Sequence, residues 1–163
     1  MKLNHNRLVK LAAKWLRARH SVVITEMAVY PEEADAIGWK AEVTTLIECK
    51  MSRADFLADQ KKMFRRMPDT GMGDYRYFLA PRGIINRDDL PVGWGLLEVG
   101  DRGGVRRDQH PLRLAKNHGA ETRVLLSCLR RIGANAPDGV SISTYNYETK
   151  NRATLGVKRD SQT

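Results

Sequence analysis

Cysteine is scarce in this sequence, which contains only Cys49 and Cys128 among its 163 residues. Two cysteines this far apart do not form the spaced framework of a disulfide-rich domain. His110 and His118 have no metal-ligand spacing with either cysteine, so a zinc site is not expected. A chain of this length can bury a core without disulfides or a structural metal. The composition therefore predicts a reduced, intracellular protein.

Long apolar runs are also lacking, and this limits the expected relation of the chain to membranes. No segment reaches the roughly 20 apolar residues that a transmembrane helix needs, and no secretory signal is recognised at the amino end. A basic amphipathic stretch covers residues 3–20, but the packing of a helix on a core explains it more simply than a membrane surface does. We therefore expect a cytoplasmic protein with no membrane partner.

Acidic residues are too few to balance the basic ones, and the formal net charge is +9. The excess is unevenly placed along the chain. Residues 1–20 carry six Lys and Arg and no acid, residues 21–101 carry ten basic and fourteen acidic residues, and residues 102–163 carry twelve basic and five acidic residues. An acidic centre between basic flanks suits a metal site approached by a polyanion, although basic flanks are also common on solvated surfaces.

A β-hairpin that brings two carboxylates together is predicted in the acidic central part of the chain. Its strands cover residues 34–39 and 43–50, which are rich in β-branched and apolar residues. A connection centred between residues 41 and 42 pairs positions whose numbers sum to 83. Asp35 then lies directly opposite Glu48, with Cβ atoms about 4.5–5.5 Å apart.

The second strand of this hairpin also presents a lysine beside the carboxylates. Because side chains alternate along a strand, Glu48 and Lys50 point to one side of the sheet and Cys49 points to the other, toward the core. Two carboxylates as close as those of Asp35 and Glu48 repel each other unless a cation lies between them. A divalent metal with Lys50 beside it is the economical explanation, and a solvated hairpin with alternating charges is the structural alternative.

An acidic residue on one strand and Glu-x-Lys on the next resembles the PD-(D/E)XK nuclease superfamily. Asp35, Glu48 and Lys50 match its pattern, while Ala34 stands where the superfamily often has proline. The segments "ADAIGWK", "TLIECKMSRADFLAD" and "GWGLLEV" look most like the MmcB-type DNA-repair nuclease-like proteins, over roughly residues 20–100. The resemblance implies an α/β (α+β) fold with a restriction-endonuclease-like αβββαβ core, in which helices flank a mixed central sheet.

Hydrophobic periodicity and turn signals predict a matching order of elements without the motif. Asn4 or Asn6 is expected to cap the first helix. Residues 1–104 form the predicted nuclease-like core, and residues 105–163 form a basic C-terminal extension, helical and irregular, that packs on the core or flanks it. Residues 145–157 are expected either to form a hairpin or to be disordered. The predicted helices cover residues 4–19, 52–66 and 121–132, and the predicted strands cover residues 21–27, 34–39, 43–50, 75–80 and 94–99.

The resemblance also implies roles for the residues of the hairpin. Asp35 and Glu48 would bind Mg²⁺ or Mn²⁺, together with the main-chain carbonyl of Cys49. Lys50 would orient the attacking water or neutralise the charge that develops on phosphorus. The neighbouring carboxylates should keep this lysine charged, so a general-base role is disfavoured.

Four further residues are candidates for the same site. Glu26, near the end of the first strand, is predicted to be an additional acid near the metal, with an exposed strand-end glutamate as the alternative. Gln60 in the second helix is predicted to contact the metal-bound water or the phosphate. Ser52 and Lys61 are alternatives to Gln60, and a solvated helix face explains each of the three equally well. Ser52 is also expected to cap the second helix.

These residues predict a Mg²⁺-dependent DNA endonuclease that serves DNA repair, recombination or phage DNA metabolism in a bacterial or phage-infected cell. Its partner would be DNA, and the choice of DNA over RNA comes from the resemblance. Two alternatives remain open at this point. One is a binding module that holds DNA or a protein on the same fold without turnover, and the other is a homodimeric, structure-selective junction resolvase.

Overall fold

In the computed structural model, the described residues are 3–27 and 32–132. They form four α-helices and six β-strands, joined in part by the short 3₁₀ turns Pro68–Thr70 and Arg87–Asp89. No helix within these ranges is long and apolar enough to span a membrane. The helices are α1 (His5–Arg17), α2 (Arg53–Asp59), α3 (Met63–Arg66) and α4 (His118–Ile132), and the strands are β1 (Val22–Met27), β2 (Ala34–Lys40), β3 (Val43–Cys49), β4 (Tyr75–Pro81), β5 (Gly95–Val99) and β6 (Val105–Gln109).

The six strands form one mixed sheet in the order β1-β2-β3-β4-β5-β6. The strands β1, β2 and β3 are an antiparallel meander. The strand β4 runs parallel to both β3 and β5, and β6 closes the sheet antiparallel to β5. The carboxyl ends of β3, β4 and β5 therefore lie at the same edge of the sheet. The predicted α+β class, with a mixed sheet flanked by helices, is confirmed.

The predicted register of the central hairpin is confirmed. The strands β2 and β3 pair Ala36 with Ile47 and Lys40 with Val43, so the residue numbers sum to 83 as expected. Their two-residue connection contains Ala41 in the left-handed region, with φ of 51°. Left-handed residues are typical of tight hairpin turns, because their twist matches that of the flanking strands.

The helix α1 covers one face of the sheet. Asn4 is its cap, since the side chain accepts a hydrogen bond from the main-chain N–H of Arg7 at 2.9 Å. The apolar stripe of the helix is buried against alternate residues of the central strands, and Cys49 lies in this core as predicted. The main members of this cluster are Leu8, Val9, Ala12, Leu16, Ala36, Ile47, Cys49, Tyr77, Leu79 and Leu97.

The opposite face of the sheet carries an aromatic stack and the charged residues of the motif. Phe78 contacts Phe56 edge to face at 4.9 Å and stacks on Trp94 at 4.5 Å between ring centroids. Glu48 pairs with Phe78 in the register of β3 and β4, so the two side chains share this face. Glu48 therefore enters a buried, aromatic environment rather than a solvated one.

The second predicted helix is in fact two short helices, so the prediction of one helix over residues 52–66 is wrong. Ser52 caps α2 as expected, accepting from the main-chain N–H of Asp55 at 3.1 Å. Between α2 and α3 the chain breaks, and Lys62 adopts an extended conformation. After the restart, Phe64 and Arg65 are the buried residues of α3.

Residues beyond 104 contribute to the same sheet, which differs from the predicted boundary at residues 104 and 105. The chain divides into two compact units, Met1–Ser127 and Cys128–Thr163. The strand β6 and the segment that follows it belong to the first unit, because Leu114 N–H donates to the Asp74 carbonyl at 2.8 Å and Asn117 N–H donates to the Gly71 carbonyl at 2.8 Å. The predicted hairpin at residues 145–157 lies outside the described residues.

Candidate functional site

The predicted hairpin residues meet at the sheet edge formed by the end of β3 and the start of β2. The carboxylate of Asp35 accepts a hydrogen bond from the main-chain N–H of Cys49 at 2.7 Å, which ties the two strands together at this point. Lys50 remains in register with the sheet, because its N–H donates to the Leu79 carbonyl at 2.9 Å. The side chain of Asp35 is 20% exposed and lies 3.2 Å from the imidazole of His5, which sequence reasoning missed.

Glu48 is buried between two cations. Its residue surface is only 2% exposed. One carboxylate oxygen lies 3.5 Å from the Lys50 ammonium, and the other lies 3.2 Å from the Arg65 guanidinium. Burial nevertheless raises the pKa of Glu48 to about 7, because desolvation outweighs the attraction of Arg65 and Lys50, and the charges of Asp35 and Asp59 add to the rise.

Asp59, at the end of α2, completes the surroundings of the motif lysine. One of its oxygens lies 3.1 Å from the Lys50 ammonium and 2.7 Å from the Lys62 ammonium. The other accepts a hydrogen bond from Arg65 Nε at 2.5 Å. Although burial opposes the change, the Arg65 guanidinium and these ammonium groups lower the pKa of Asp59 to about 2. Asp59 is therefore ionised at neutral pH.

Arg65 is the residue that joins this cluster. Its side chain is 1% exposed and bridges Glu48, Asp59 and Glu32, with Arg65 Nη1 donating to Glu32 at 3.0 Å. The guanidinium lies 4.4 Å from the ring centroid of Trp94, within cation–π range. We call the five residues Glu32, Glu48, Lys50, Asp59 and Arg65 the buried ion cluster.

Two atoms of the buried ion cluster lack hydrogen-bond partners. Among the described residues, the buried side-chain oxygen and nitrogen atoms that have no hydrogen-bond partner are Glu48 Oε1 and Arg65 Nη2. They lie 3.2 Å apart, so they attract each other without forming a well-directed hydrogen bond. Buried polar atoms are rarely left in this state, and such an oxygen is able to accept another ligand.

Lys50 is held in its charged form. Burial acts against the charge, but the carboxylates of Glu48 and Asp59 outweigh it and raise the pKa of the ammonium. A proton-accepting role for Lys50 at neutral pH is correspondingly unfavourable. Its position suits charge neutralisation beside Glu48.

The other predicted site residues lie elsewhere or outside the described side chains. Gln60 ends α2 and donates from its side chain to the Asp89 carbonyl at 2.5 Å, so it braces a loop and does not enter the buried ion cluster. Ser52 acts as a helix cap, and Lys61 is exposed. The side chain of Glu26 lies outside the described residues. The thiol of Cys49 is buried in the α1 core, and burial raises its pKa.

Asp59, Glu32 and Arg65 are the members of the site that sequence reasoning missed. Asp59 and Arg65 lie within the predicted helix over residues 52–66, where neither was expected to be a site residue. Neither residue carried a signal, because charged residues in an amphipathic stretch are ordinarily assigned to its solvated face. Glu32 carried no signal, because its partner Arg65 lies 33 residues away in sequence.

The residues present fit a hard divalent cation in part. No group of three or more His, Cys, Asp and Glu residues in the described ranges is arranged to hold a metal ion. Mg²⁺, however, is commonly held by one or two carboxylates, with water and substrate phosphate completing its shell. Asp35 and the unsatisfied Oε1 of Glu48 provide that minimum, and the Arg65 guanidinium has to yield some of its contact with Glu48.

Raising the pH should lower the stability of the protein through Glu48. Its carboxyl has an ordinary pKa of 4.5 and a folded-state pKa of about 7, so between these values the folded protein holds a proton that the unfolded chain has lost. This stabilisation is fully present below the lower value and is lost as the pH rises through the higher one. The whole shift corresponds to about 3 kcal/mol at most.

The measurement is the free energy of unfolding in urea at about pH 5 and about pH 8, compared between the wild type and Glu48→Gln. The glutamine variant cannot ionise and should lose this decline. Burial lowers the pKa of His20, which gives the opposite slope near neutral pH, but that residue is common to both proteins and cancels in the comparison. Equal pH slopes for the two proteins would show that Glu48 titrates normally.

No protein-family profile matches the sequence, and no curated protein matches it. Among solved structures, the fold is similar to that of the SPO1766 protein of unknown function from Silicibacter pomeroyi. The two chains are 23% identical with a TM-score of 0.61, and the match covers 87% of this chain and 99% of that one. The likeness extends over nearly the whole of the solved structure and describes the fold alone.

Proposed function

We propose that this protein is a divalent-metal-dependent DNA nuclease with a PD-(D/E)XK-type site formed by Asp35, Glu48 and Lys50. The observation that carries the proposal is the junction of β2 and β3, where the Asp35 carboxylate accepts from the Cys49 N–H and Glu48, opposite in the strand register, has a buried oxygen without a hydrogen bond, 3.2 Å from Arg65. A charged lysine lies next to that glutamate. The helix, three strands, helical segment and fourth strand follow the αβββαβ order of restriction-endonuclease-like proteins, which supports the same interpretation.

Asp35 and Glu48 would hold the cation, and the main-chain carbonyl of Cys49 is the third proposed ligand. When bound, a divalent metal supplies charge relief on the phosphate and activation of a water molecule. The protein contributes fixed positions for its own oxygens. The sheet register sets the spacing of the two carboxylates, and the Cys49 N–H restricts the rotation of the Asp35 side chain.

Lys50 would bind the phosphate and stabilise the negative charge that develops on it. Asp59 orients its ammonium by the contact at 3.1 Å, and the raised pKa keeps it protonated. The aromatic residues Phe56, Phe78 and Trp94 exclude water from the inner side of the site. Electrostatic interactions are stronger in such an environment than in bulk water.

Incubating the purified protein with plasmid, single-stranded and branched DNA in Mg²⁺, in Mn²⁺ and in EDTA tests this proposal. We expect strand cleavage with either metal and none in EDTA, because the unassisted carboxylates cannot relieve the charge on the phosphate. The cleaving activity should elute with the protein across a gel-filtration peak, which distinguishes it from a contaminating nuclease. Intact DNA under every metal condition would contradict the proposal.

A second candidate function is a binding module without turnover, and one observation favours it. Both oxygens of Glu48 already lie within ion-pair distance of a cation, so the buried ion cluster neutralises much of its own charge without a metal. A module of this kind would bind DNA with steep salt dependence and leave it intact. Binding in EDTA together with no cleavage in Mg²⁺ or Mn²⁺ would establish this function in place of the nuclease.

A further inference from the structure

We infer that the phosphate backbone of DNA lies along a surface formed by Arg7, Arg82, Arg102 and Arg106, at the same edge of the sheet as the proposed nuclease site. We call these four residues the arginine surface. They line two adjoining clefts of about 390 and about 410 Å³, which share Arg82 and Arg102. This inference takes the identity of the bound polyanion, DNA, from the proposed function. What it adds is the surface on which the DNA binds.

The topology of the sheet places the arginine surface at the same edge as the site. Lys50 follows β3, Arg82 follows β4, and the turn containing Arg102 follows β5. Because these three strands are parallel, their carboxyl ends lie at one edge of the sheet, where the register puts Lys50 level with Ala80 and Arg82 level with Gly100. Two main-chain hydrogen bonds connect the row, from Lys50 N–H to the Leu79 carbonyl at 2.9 Å and from Arg82 N–H to the Val99 carbonyl at 3.1 Å.

The first turn of α1 joins the other end of the row to Asp35. His5 lies 3.2 Å from the Asp35 carboxylate. Arg7, two residues later, lines the cleft of about 390 Å³ together with Arg82 and Arg102. The first turn of α1 therefore contacts Asp35 through His5 and lines the arginine surface through Arg7.

The charge of the arginine surface is positive and partly pre-organised. The side chains of Arg82 and Arg106 are 59% and 60% exposed. The buried carboxylate of Glu98 lies 3.1 Å from Arg106 and 4.0 Å from Arg82, which holds both guanidinium groups near one position. Arg106 also lies 3.0 Å from Asp108, and Asp101 lines both clefts, so four arginines stand against three acidic residues.

The chemistry of these residues favours a phosphodiester backbone. A guanidinium presents a planar set of donors that matches phosphate oxygens, and arginine is weakly hydrated compared with lysine. The clefts are shallow and open, and their walls are formed largely by arginine and glycine, so they do not enclose a small apolar ligand. An extended polyanion can contact the arginines of both clefts at once.

Fluorescence anisotropy of the full chain with short labelled duplex and single-stranded DNA tests the inference. The titrations are carried out in EDTA at salt concentrations between about 50 and 200 mM, so that cleavage does not contribute. The variants are Arg82→Glu and Arg102→Glu. Each should weaken DNA binding by about ten-fold and make the dependence of binding on salt shallower by about one to two phosphate contacts.

Arg123→Glu is the matched control. Arg123 is an exposed arginine of α4, in the unit that contains the sheet, and the segment leading into α4 contacts Thr44 and Asp74 at the opposite edge. This variant carries the same change of charge and should alter binding by less than about two-fold. Circular dichroism and thermal unfolding verify that each variant is folded, and Arg82→Gln and Arg102→Gln replace any variant that is not.

Three results would overturn the inference. The first is a loss of affinity in Arg123→Glu equal to that in Arg82→Glu and Arg102→Glu. The second is the absence of wild-type binding to either form of DNA. The third is binding of an acidic polypeptide such as polyglutamate in preference to DNA. Because Asp35→Asn should lose cleavage yet retain DNA binding in EDTA, a failure of the nuclease proposal is distinguishable from a failure of the arginine surface.

Discussion

Replacing Asp35 with asparagine should reduce Mg²⁺-dependent DNA cleavage by roughly 100-fold or more, because the change removes one of two proposed ligands and half of the negative charge that would hold the metal. The asparagine side chain retains an oxygen that can accept the hydrogen bond from the Cys49 N–H, so the junction of β2 and β3 should stay intact. Initial rates of plasmid nicking in Mg²⁺, measured alongside the free energy of unfolding, separate the two effects.

Asp69→Asn provides the control for this experiment. Asp69 is an exposed aspartate in the 3₁₀ turn that follows α3, and the same isosteric change there should leave the rate of cleavage unaltered. Isothermal titration of Mg²⁺ into the wild type and Asp35→Asn gives a second readout that does not depend on turnover. Unchanged nicking by Asp35→Asn would exclude Asp35 from the site. Glu48 would then be the one carboxylate left among the proposed metal ligands.

Replacing Arg65 with methionine should destabilise the protein by about 3–5 kcal/mol, since removing one partner of a buried ion pair leaves the other charge without compensation. Three buried carboxylates depend on this guanidinium, those of Glu32, Glu48 and Asp59. A loss of this size is a large fraction of the 5–15 kcal/mol that stabilises a typical domain. Urea unfolding followed by circular dichroism at neutral pH measures it.

Arg66→Met is the matched control for this substitution. Arg66 is the exposed neighbour of Arg65 in α3, and its guanidinium donates to the Lys61 carbonyl at 3.0 Å. We expect a change within about 0.5 kcal/mol there. The double variant Arg65→Met with Glu48→Gln should recover part of the stability lost in Arg65→Met, because it also removes one of the stranded carboxylates. Equal stability of Arg65→Met and Arg66→Met would show that the buried ion cluster is not held together by Arg65.

The central hairpin shows how far local sequence reasoning extends. Alternation of apolar residues and the short connection at residues 41–42 predicted the pairing of β2 with β3 to the residue. A one-residue slip would have exchanged the faces of Glu48 and Cys49, and burial of the alternating residues on both sides prevents it. The placement of Cys49 in the α1 core follows from the same alternation.

The break between α2 and α3 shows where that reasoning stops. Residues 52–66 have an amphipathic pattern that is compatible with one helix, and propensity alone does not reveal the extended conformation of Lys62. After the break, the side chain of Arg65 is buried and forms ion pairs with Glu32, Glu48 and Asp59. The strand β6 was missed for a related reason. Its residues are polar and partly exposed, so apolar alternation does not identify an edge strand of this kind.

The sequence by itself determined the order of the early elements, the register of β2 against β3 and the common side of the sheet on which Glu48 and Lys50 lie. Those features depend on neighbours close in the chain, for which side-chain periodicity is a sufficient guide. Only the tertiary structure decided what surrounds the motif. Glu32, Asp59 and Arg65 reach Glu48 and Lys50 from separate segments, and the energy of such buried charges depends on distances that no local pattern contains.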